Sequence, residues 1–452
     1  MSFSKLLFAL ILLLPCVCFA AEYDMSAVML EDEQAFYITQ STAYTNTSGV
    51  HLDCVLFSVY SNCFRRETAL PYDNSTLAAA FPSGYAPGGT EFSAIYVDGA
   101  AASWGIQGET ELFLRVDCDL APDESCVFSF EYTLLLSENS AFLGCGEYDW
   151  RLVGFYPAVC ATESGEFVTN PLSRAAKSFY SESSSFRMAL YLPEGYELAC
   201  GGDVQSIPGG YTITLENANE LAFCVSKRFH SYTSGSITLY GQNRGELKRL
   251  LERAEDCAAV YADLFGALPC EGLAIVVSQS ATTLISPGLI ILSDTDVLER
   301  AIAAQYFTAA DPCTDPFLCD GLAEYMSLLY IEEAEGETAF KKRLNSEILP
   351  ALSVTIPGSL TPDSYLSSFT TVSDYDTVVI RRGAAVFHEL RTLMGRESFI
   401  TALRAYIQGG DRGIQAFVSR FEESSGRSIG NALVAWLYTI DEYVNADMEY
   451  YE

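Results

Sequence analysis

Histidine is scarce: only His51, His230 and His388 occur in 452 residues, and none lies within four residues of another. Zinc hydrolases typically bring two imidazoles together one helical turn apart, so no H-E-x-x-H site can be written on this chain. His388-Glu389 begins such a pattern, but Thr392 holds its second histidine position. A single imidazole on an amphipathic helix is ordinary packing or surface. No C-x-x-C occurs, which argues against zinc-ribbon and dithiol redox chemistry. No strand-to-helix nucleophile elbow and no Asp-Thr-Gly is found. Pro87-Gly88-Gly89 and Gly201-Gly202 lack the strand-glycine-helix setting of a phosphate cradle.

Positive charge is also short. Against 59 Asp and Glu stand 26 Lys and Arg, a net charge of -33 that repels phosphate backbones and anionic headgroups. Nucleic acid is therefore excluded as a partner. Long apolar runs are missing as well. Leu6 to Leu14 is the longest clear one, too short for the roughly 20 residues of a membrane helix. With Lys5 before it, Pro15 after it and Cys18-Phe19-Ala20 as a cleavage sequence, it reads as a signal peptide over residues 1–20. The expectation is a secreted chain with no membrane span.

What is plentiful is apolar and sulfur-bearing. Hydrophobic residues make up 49%, enough for large cores. Of 14 cysteines, Cys16 and Cys18 fall in the leader. The other twelve lie in near-neighbour pairs: Cys54/Cys63, Cys118/Cys126, Cys145/Cys160, Cys200/Cys224, Cys257/Cys270 and Cys313/Cys319. An even number in an exported chain reads as disulfides, with sequential bridging preferred and free thiols as the alternative. Cys118 and Cys126 flank Ala121-Pro122-Asp123-Glu124 as a bridge across a hairpin would.

The hydrophobic period divides the chain. From residue 21 to about 240, alternating and aromatic runs separated by turn residues predict antiparallel sheet, as in Cys126-Val127-Phe128-Ser129-Phe130-Glu131-Tyr132. Asn46 and Asn74 fall in N-x-Ser/Thr sequons. Residues 241–452 form the second domain. Leu247, Leu250, Leu251, Ala254, Ala258, Tyr261 and Phe265 recur at helical spacing. Strands at Leu273–Val277 and Leu289–Leu292 follow, and then mainly helices: an α+β chain.

Several segments of the second half, taken in order, resemble the gluzincin zinc aminopeptidases, the membrane alanyl aminopeptidase family. The family's G-x-M-E-N strand is similar to Thr283-Leu284-Ile285-Ser286-Pro287-Gly288-Leu289. Its H-E-x-x-H-Q-W-F helix resembles Arg300-Ala301-Ile302-Ala303-Ala304-Gln305-Tyr306-Phe307. Its W-L-D-E-G-F-A-x-Y resembles Phe317-Leu318-Cys319-Asp320-Gly321-Leu322-Ala323-Glu324-Tyr325, and its Y-x-K-G-A resembles Ile380-Arg381-Arg382-Gly383-Ala384. The resemblance implies a saddle-like antiparallel β domain, then a thermolysin-like, mainly helical domain.

It also marks what is lost. Arg300 and Ala304 stand at the two histidine ligand positions, Ala301 at the general base and Asp320 at the glutamate ligand. Ile285 stands at the amine-holding glutamate and Ile380 at the oxyanion-stabilising tyrosine. The resemblance thus implies no catalytic residue, no metal ligand and no zinc cofactor. It implies a secreted pseudoenzyme that binds peptides or proteins in an interdomain groove. Two alternatives stay open: a peptidase, zinc-dependent or metal-independent, using displaced Asp311, Asp315, Asp320 or Glu324, and a structural surface-assembly protein. At the lost site, Asp320 is expected to cap the helix starting near Gly321. Arg300 is expected either to pair with Asp320 or to point to solvent.

Overall fold

The computed structural model describes residues 20–437 apart from 73, 109 and 357, so all of the expected leader but Ala20, and the acidic, aromatic C-terminus, lie outside the described residues. The chain forms a two-domain α+β fold. The first domain is built on an eight-stranded sheet, ordered Asp203–Ile207, Gly210–Ala218, Ser184–Tyr191, Ala21–Leu30, Ala35–Thr45, Ser125–Leu135, Gly89–Val97, Ala100–Ala101. Its pairs are antiparallel except Ala21–Leu30 with Ser184–Tyr191. Alternation decides the faces: Ala21, Tyr23, Met25, Ala27 and Met29 are buried while their neighbours face outward.

A four-stranded sheet packs against this one, ordered Ala158–Val159, Leu52–Ser58, Phe113–Leu120, Trp104–Gln107. Phe57 bridges the two sheets, edge-on to Phe128 and Phe130 at ring distances of 5.1 and 5.0 Å. The expected hairpin around Ala121 is thereby corrected. Phe113–Leu120 belongs to the smaller sheet and Ser125–Leu135 to the larger, so the turn crosses between layers. It wraps Asn46, whose amide donates to Glu124 O and whose carbonyl accepts from Asp123 N, each at 2.9 Å. Asn46 is fully buried and its side chain donates to Val50 O and Leu120 O, so the folded chain offers no glycan acceptor there.

The expected disulfides are not formed in this structure, where the twelve cysteines stand unbridged. Three of the near-neighbour pairs are set apart by the sheets and turns that carry them. Cys200 faces Phe223 while Ala199 faces Cys224, which turns the two thiols to opposite faces. Cys54 lies across from Asp117 and Cys63 is fully buried in the Tyr60–Arg65 turn. Cys145 pairs with Trp150 in another small sheet, whereas Cys160 donates its amide to Leu56.

In the second domain a five-stranded sheet runs His230–Ser234, Ile237–Gly241, Leu273–Val277, Leu289–Leu292, Leu284–Ser286. The change of period near Tyr240 therefore falls inside this sheet. Asn243 caps the helix Arg244–Phe265 by accepting from Gly245 N and Glu246 N. That helix buries Leu247, Leu250, Ala254, Tyr261 and Phe265, the face its spacing predicts. Helices Leu298–Ala304, Leu322–Glu335, Gly383–Met394, Arg396–Gln408 and Ile414–Ser425 complete the domain. Among the described residues no helix is long and apolar enough to cross a membrane.

Buried polar contacts fix one domain on the other. Asp149 and Arg151 form an ion pair that is almost fully buried, and Asp149 Oδ2 accepts from Ser278 Oγ of the second domain at 2.6 Å. The Pro287-Gly288 turn lies against Gly201, where a Cβ would stand 2.3 Å from Pro287 O. Gln305 pins the turn, accepting from Gly288 N at 2.9 Å and donating to Ser286 O at 3.1 Å.

Candidate functional site

Between the two domains lies a cavity of about 430 Å³, within the usual range of small-ligand sites. Ile285, Arg300, Ala301, Ala304, Asp320 and Ile380 all line it. Sequence positions nearly a hundred residues apart thus converge on one wall.

Each is placed by identifiable packing. Ile285 sits on the edge strand Leu284–Ser286, held in register by Leu289–Leu292. Arg300, Ala301 and Ala304 ride on the short helix Leu298–Ala304, whose other residues fill the core. That helix is anchored by Glu299, which accepts from Arg253 Nη2 at 2.5 Å. Asp320 occupies a π-helical turn, Phe317–Gly321, and Ile380 a second one, Asp376–Arg382. Such turns often mark functional positions within helices. The two turns touch at glycine: a Cβ on Gly321 would lie 2.6 Å from Val379 O, and one on Gly383 would lie 3.3 Å from Gly321 Cα. Without side chains at this crossing, Asp320 and Ile380 are brought to the same cavity.

The electrostatics differ from the sequence expectation. Asp320 does not cap the Leu322–Glu335 helix, because the π turn continues straight into it and Gly321 is its N-cap residue. Instead Asp320 Oδ2 accepts from the Tyr375 hydroxyl at 2.6 Å. Arg300 neither pairs with Asp320 nor points to solvent. Its Nε lies 3.8 Å from Glu324 Oε2, and Glu324 is also held by Arg343 at 3.5 Å. Glu324 is one helical turn beyond Asp320, so the pairing has moved one turn along the helix. Burial pushes the Asp320 carboxyl up, opposed by the Tyr375 hydrogen bond and by Arg300. Burial likewise pushes Glu324 up, opposed by Arg300 and Arg343.

Zinc requires three or four nitrogen, sulfur or carboxylate donors converging at about 2.0–2.3 Å. Here the corresponding positions offer two alanines, a guanidinium and one carboxylate that is already hydrogen-bonded. That donor set does not fit zinc. Among the described residues no group of three His, Cys, Asp or Glu is arranged to hold a metal ion. The histidines are dispersed: His51 pairs with Asp119 at 2.7 Å, His230 lies 3.4 Å from Arg244, and His388 lies 3.3 Å from the Tyr325 hydroxyl. Asp311 is engaged with Cys313 N and Thr314 Oγ1. Gly426-Arg427-Ser428-Ile429-Gly430 has G-x-S-x-G spacing, but it joins two helices, and the exposed Ser428 donates to Glu422 at 3.2 Å. It is no nucleophile elbow.

Four lining residues escaped the sequence reading. Tyr375 is five residues before Ile380, in a polar stretch without periodic signal. Lys177, Asn219 and Glu220 come from the first domain, where nothing in the sequence ties them to Ile285. Lys177 Nζ is ion-paired with Glu220 and donates to Ile285 O at 2.7 Å and Ser286 Oγ at 3.2 Å.

No protein-family profile matches the chain, and no curated protein sequence matches it either. Solved structures do. The M1 zinc metallopeptidase from Deinococcus radiodurans aligns over 93% of this chain and 94% of its own, with a TM-score of 0.63 and 16% identity. A mutant of that enzyme gives a TM-score of 0.65 at 16% identity, over 92% of this chain and 94% of its own. A two-domain M1 zinc metallopeptidase mutant bound to L-arginine gives 0.64 at 17% identity, with the same coverage. This chain shares the two-domain fold of these M1 zinc metallopeptidases.

Proposed function

We propose that this protein is a secreted, non-catalytic relative of the M1 zinc metallopeptidases that binds peptides in its interdomain cavity. The observation that carries the reading is the cavity wall itself. Arg300, Ala301, Ala304 and Asp320 converge where the resemblance implies metal ligands and a general base, and among them only Asp320 carries a donor, already hydrogen-bonded to Tyr375. One structural neighbour, a mutant enzyme with 18% identity, was solved with a Tyr-Ser-Ala substrate, which supports peptide as the class of ligand. Export rests on the Leu6 to Leu14 run and the cleavage sequence after it.

A peptidase using displaced acids has less support, since Asp311, Asp315, Asp320 and Glu324 are each engaged by protein donors, Asp315 by the Ile414 backbone. The test is an aminopeptidase assay of the full chain on a panel of amino-acid amides, with and without added zinc. The reading expects no turnover above buffer alone, together with saturable peptide binding. Turnover that chelator abolishes and zinc restores overturns it.

A further inference from the structure

Arg300 brings five N–H donors to the cavity, and among the described residues none of them makes a hydrogen bond. Its one ion pair, 3.8 Å to Glu324, is longer than the 2.7–2.9 Å of a charge-assisted hydrogen bond. Glu324 is engaged from another side by Arg343, and Asp320 by Tyr375. The guanidinium, about a quarter exposed, therefore faces the cavity with its donors unspent.

At the first-domain end the pattern is reversed. Lys177 has three acceptors for its three N–H groups: Glu220, Ile285 O and Ser286 Oγ. The ammonium position beside Ile285 is thus filled by the chain itself, and an incoming free amine would have to displace it. Glu220 Oε2 and Asn219 Oδ1 are buried without any hydrogen-bond partner, and the Glu220 side chain is nine-tenths buried. Both atoms are sealed from the cavity as well as from water, so the first-domain end offers a ligand neither a free donor nor an open acceptor.

We propose that the cavity binds the carboxyl-terminal end of a peptide, with its carboxylate held by the Arg300 guanidinium. The proposal deepens the peptide-binding reading and rests on it. Guanidinium and carboxylate match as a planar two-by-two donor and acceptor set, which neither a free amine nor an amide terminus can reproduce.

The test is calorimetric titration of the full chain with three probes: Ac-Ala-Ala-Ala, its C-terminal amide, and Ala-Ala-Ala-amide. Ac-Ala-Ala-Ala is expected to bind roughly ten- to a hundredfold more tightly than either amide, the loss expected when a charged hydrogen-bonding partner is removed. Arg300→Gln should abolish that preference. Should Arg300→Gln fold poorly, Ala304→Leu, which fills the cavity without altering its charge, should block Ac-Ala-Ala-Ala instead. N-acetyl-alanine is a fourth probe: binding as tight as the tripeptide would assign the site to free N-acyl amino acids and overturn the peptide part. Tighter binding of Ala-Ala-Ala-amide overturns the orientation and leaves the peptide-binding reading standing. Absence of binding by all probes overturns both.

Discussion

Arg300 meets Glu324 rather than Asp320: its Nε lies 3.8 Å from Glu324 Oε2, while Asp320, one helical turn earlier, accepts from Tyr375 at 2.6 Å. A cation and two acids thus share a wall that burial makes unfavourable for charge. Arg300 lowers the proton affinity of both carboxyls, and burial raises it.

Arg300→Met should therefore destabilise the protein more at pH 8 than at pH 5. Without the guanidinium, both carboxyls are pushed further up, so the penalty appears where they must ionise. About 2 kcal/mol at pH 8 is expected, less than the 3–5 kcal/mol lost when a fully buried pair is broken. Urea denaturation at the two pH values checks it, and an equal loss at both would contradict it.

Asp320→Asn should have the opposite sign. A carboxyl raised in the folded state contributes stability that is full below its unfolded value and lost as pH rises through the folded one. The amide keeps an acceptor for Tyr375 and carries no proton to lose. Its melting temperature should exceed wild type at pH 8 and match it near pH 4.

His388 governs the acid side. Burial beside Arg391 pushes its imidazole down from 6.5 to about 4, so the folded state holds it neutral. Stability from this group is full above pH 6.5 and falls as pH drops toward 4, by on the order of 3 kcal/mol in total. His388→Leu should flatten that part of the stability-pH curve. An unchanged slope would assign the acid sensitivity elsewhere.

Gly321→Ala tests the crossing that sets the wall. A methyl group there meets Val379 O at 2.6 Å, and backbone cannot yield as a flexible side chain would. The expected cost is roughly 1–3 kcal/mol, with loss of peptide binding as Asp320 and Ile380 move apart. Unaltered binding would show that the two π turns need not touch.

Much of this arrangement was legible because the residues that set backbone packing fall within the motifs the sequence displays. Gln305, Gly321 and Gly383 mark where backbones approach, and they carry Arg300, Asp320 and Ile380 into one cavity. The helix Arg244–Phe265 was legible from its apolar spacing. Partners were not. Alternation tells which side of Phe113–Leu120 is buried, but not that its sheet excludes Ser125–Leu135. Lys177 reaches Ile285 across 108 positions, a contact without local signal. Arg300's partner was missed because a one-turn shift along a helix leaves the apolar pattern unchanged.

Zinc occupancy of the wild-type protein tests the central claim most directly. The full chain, dialysed against a zinc buffer and measured by elemental mass spectrometry, should retain far less than one zinc per chain. Arg300→His alone should behave the same way. Arg300→His with Ala304→His, which sets two imidazoles one helical turn apart on the wall shared with Asp320, should acquire zinc. Stoichiometric zinc held by the wild-type chain, lost on Asp320→Asn, would contradict the account.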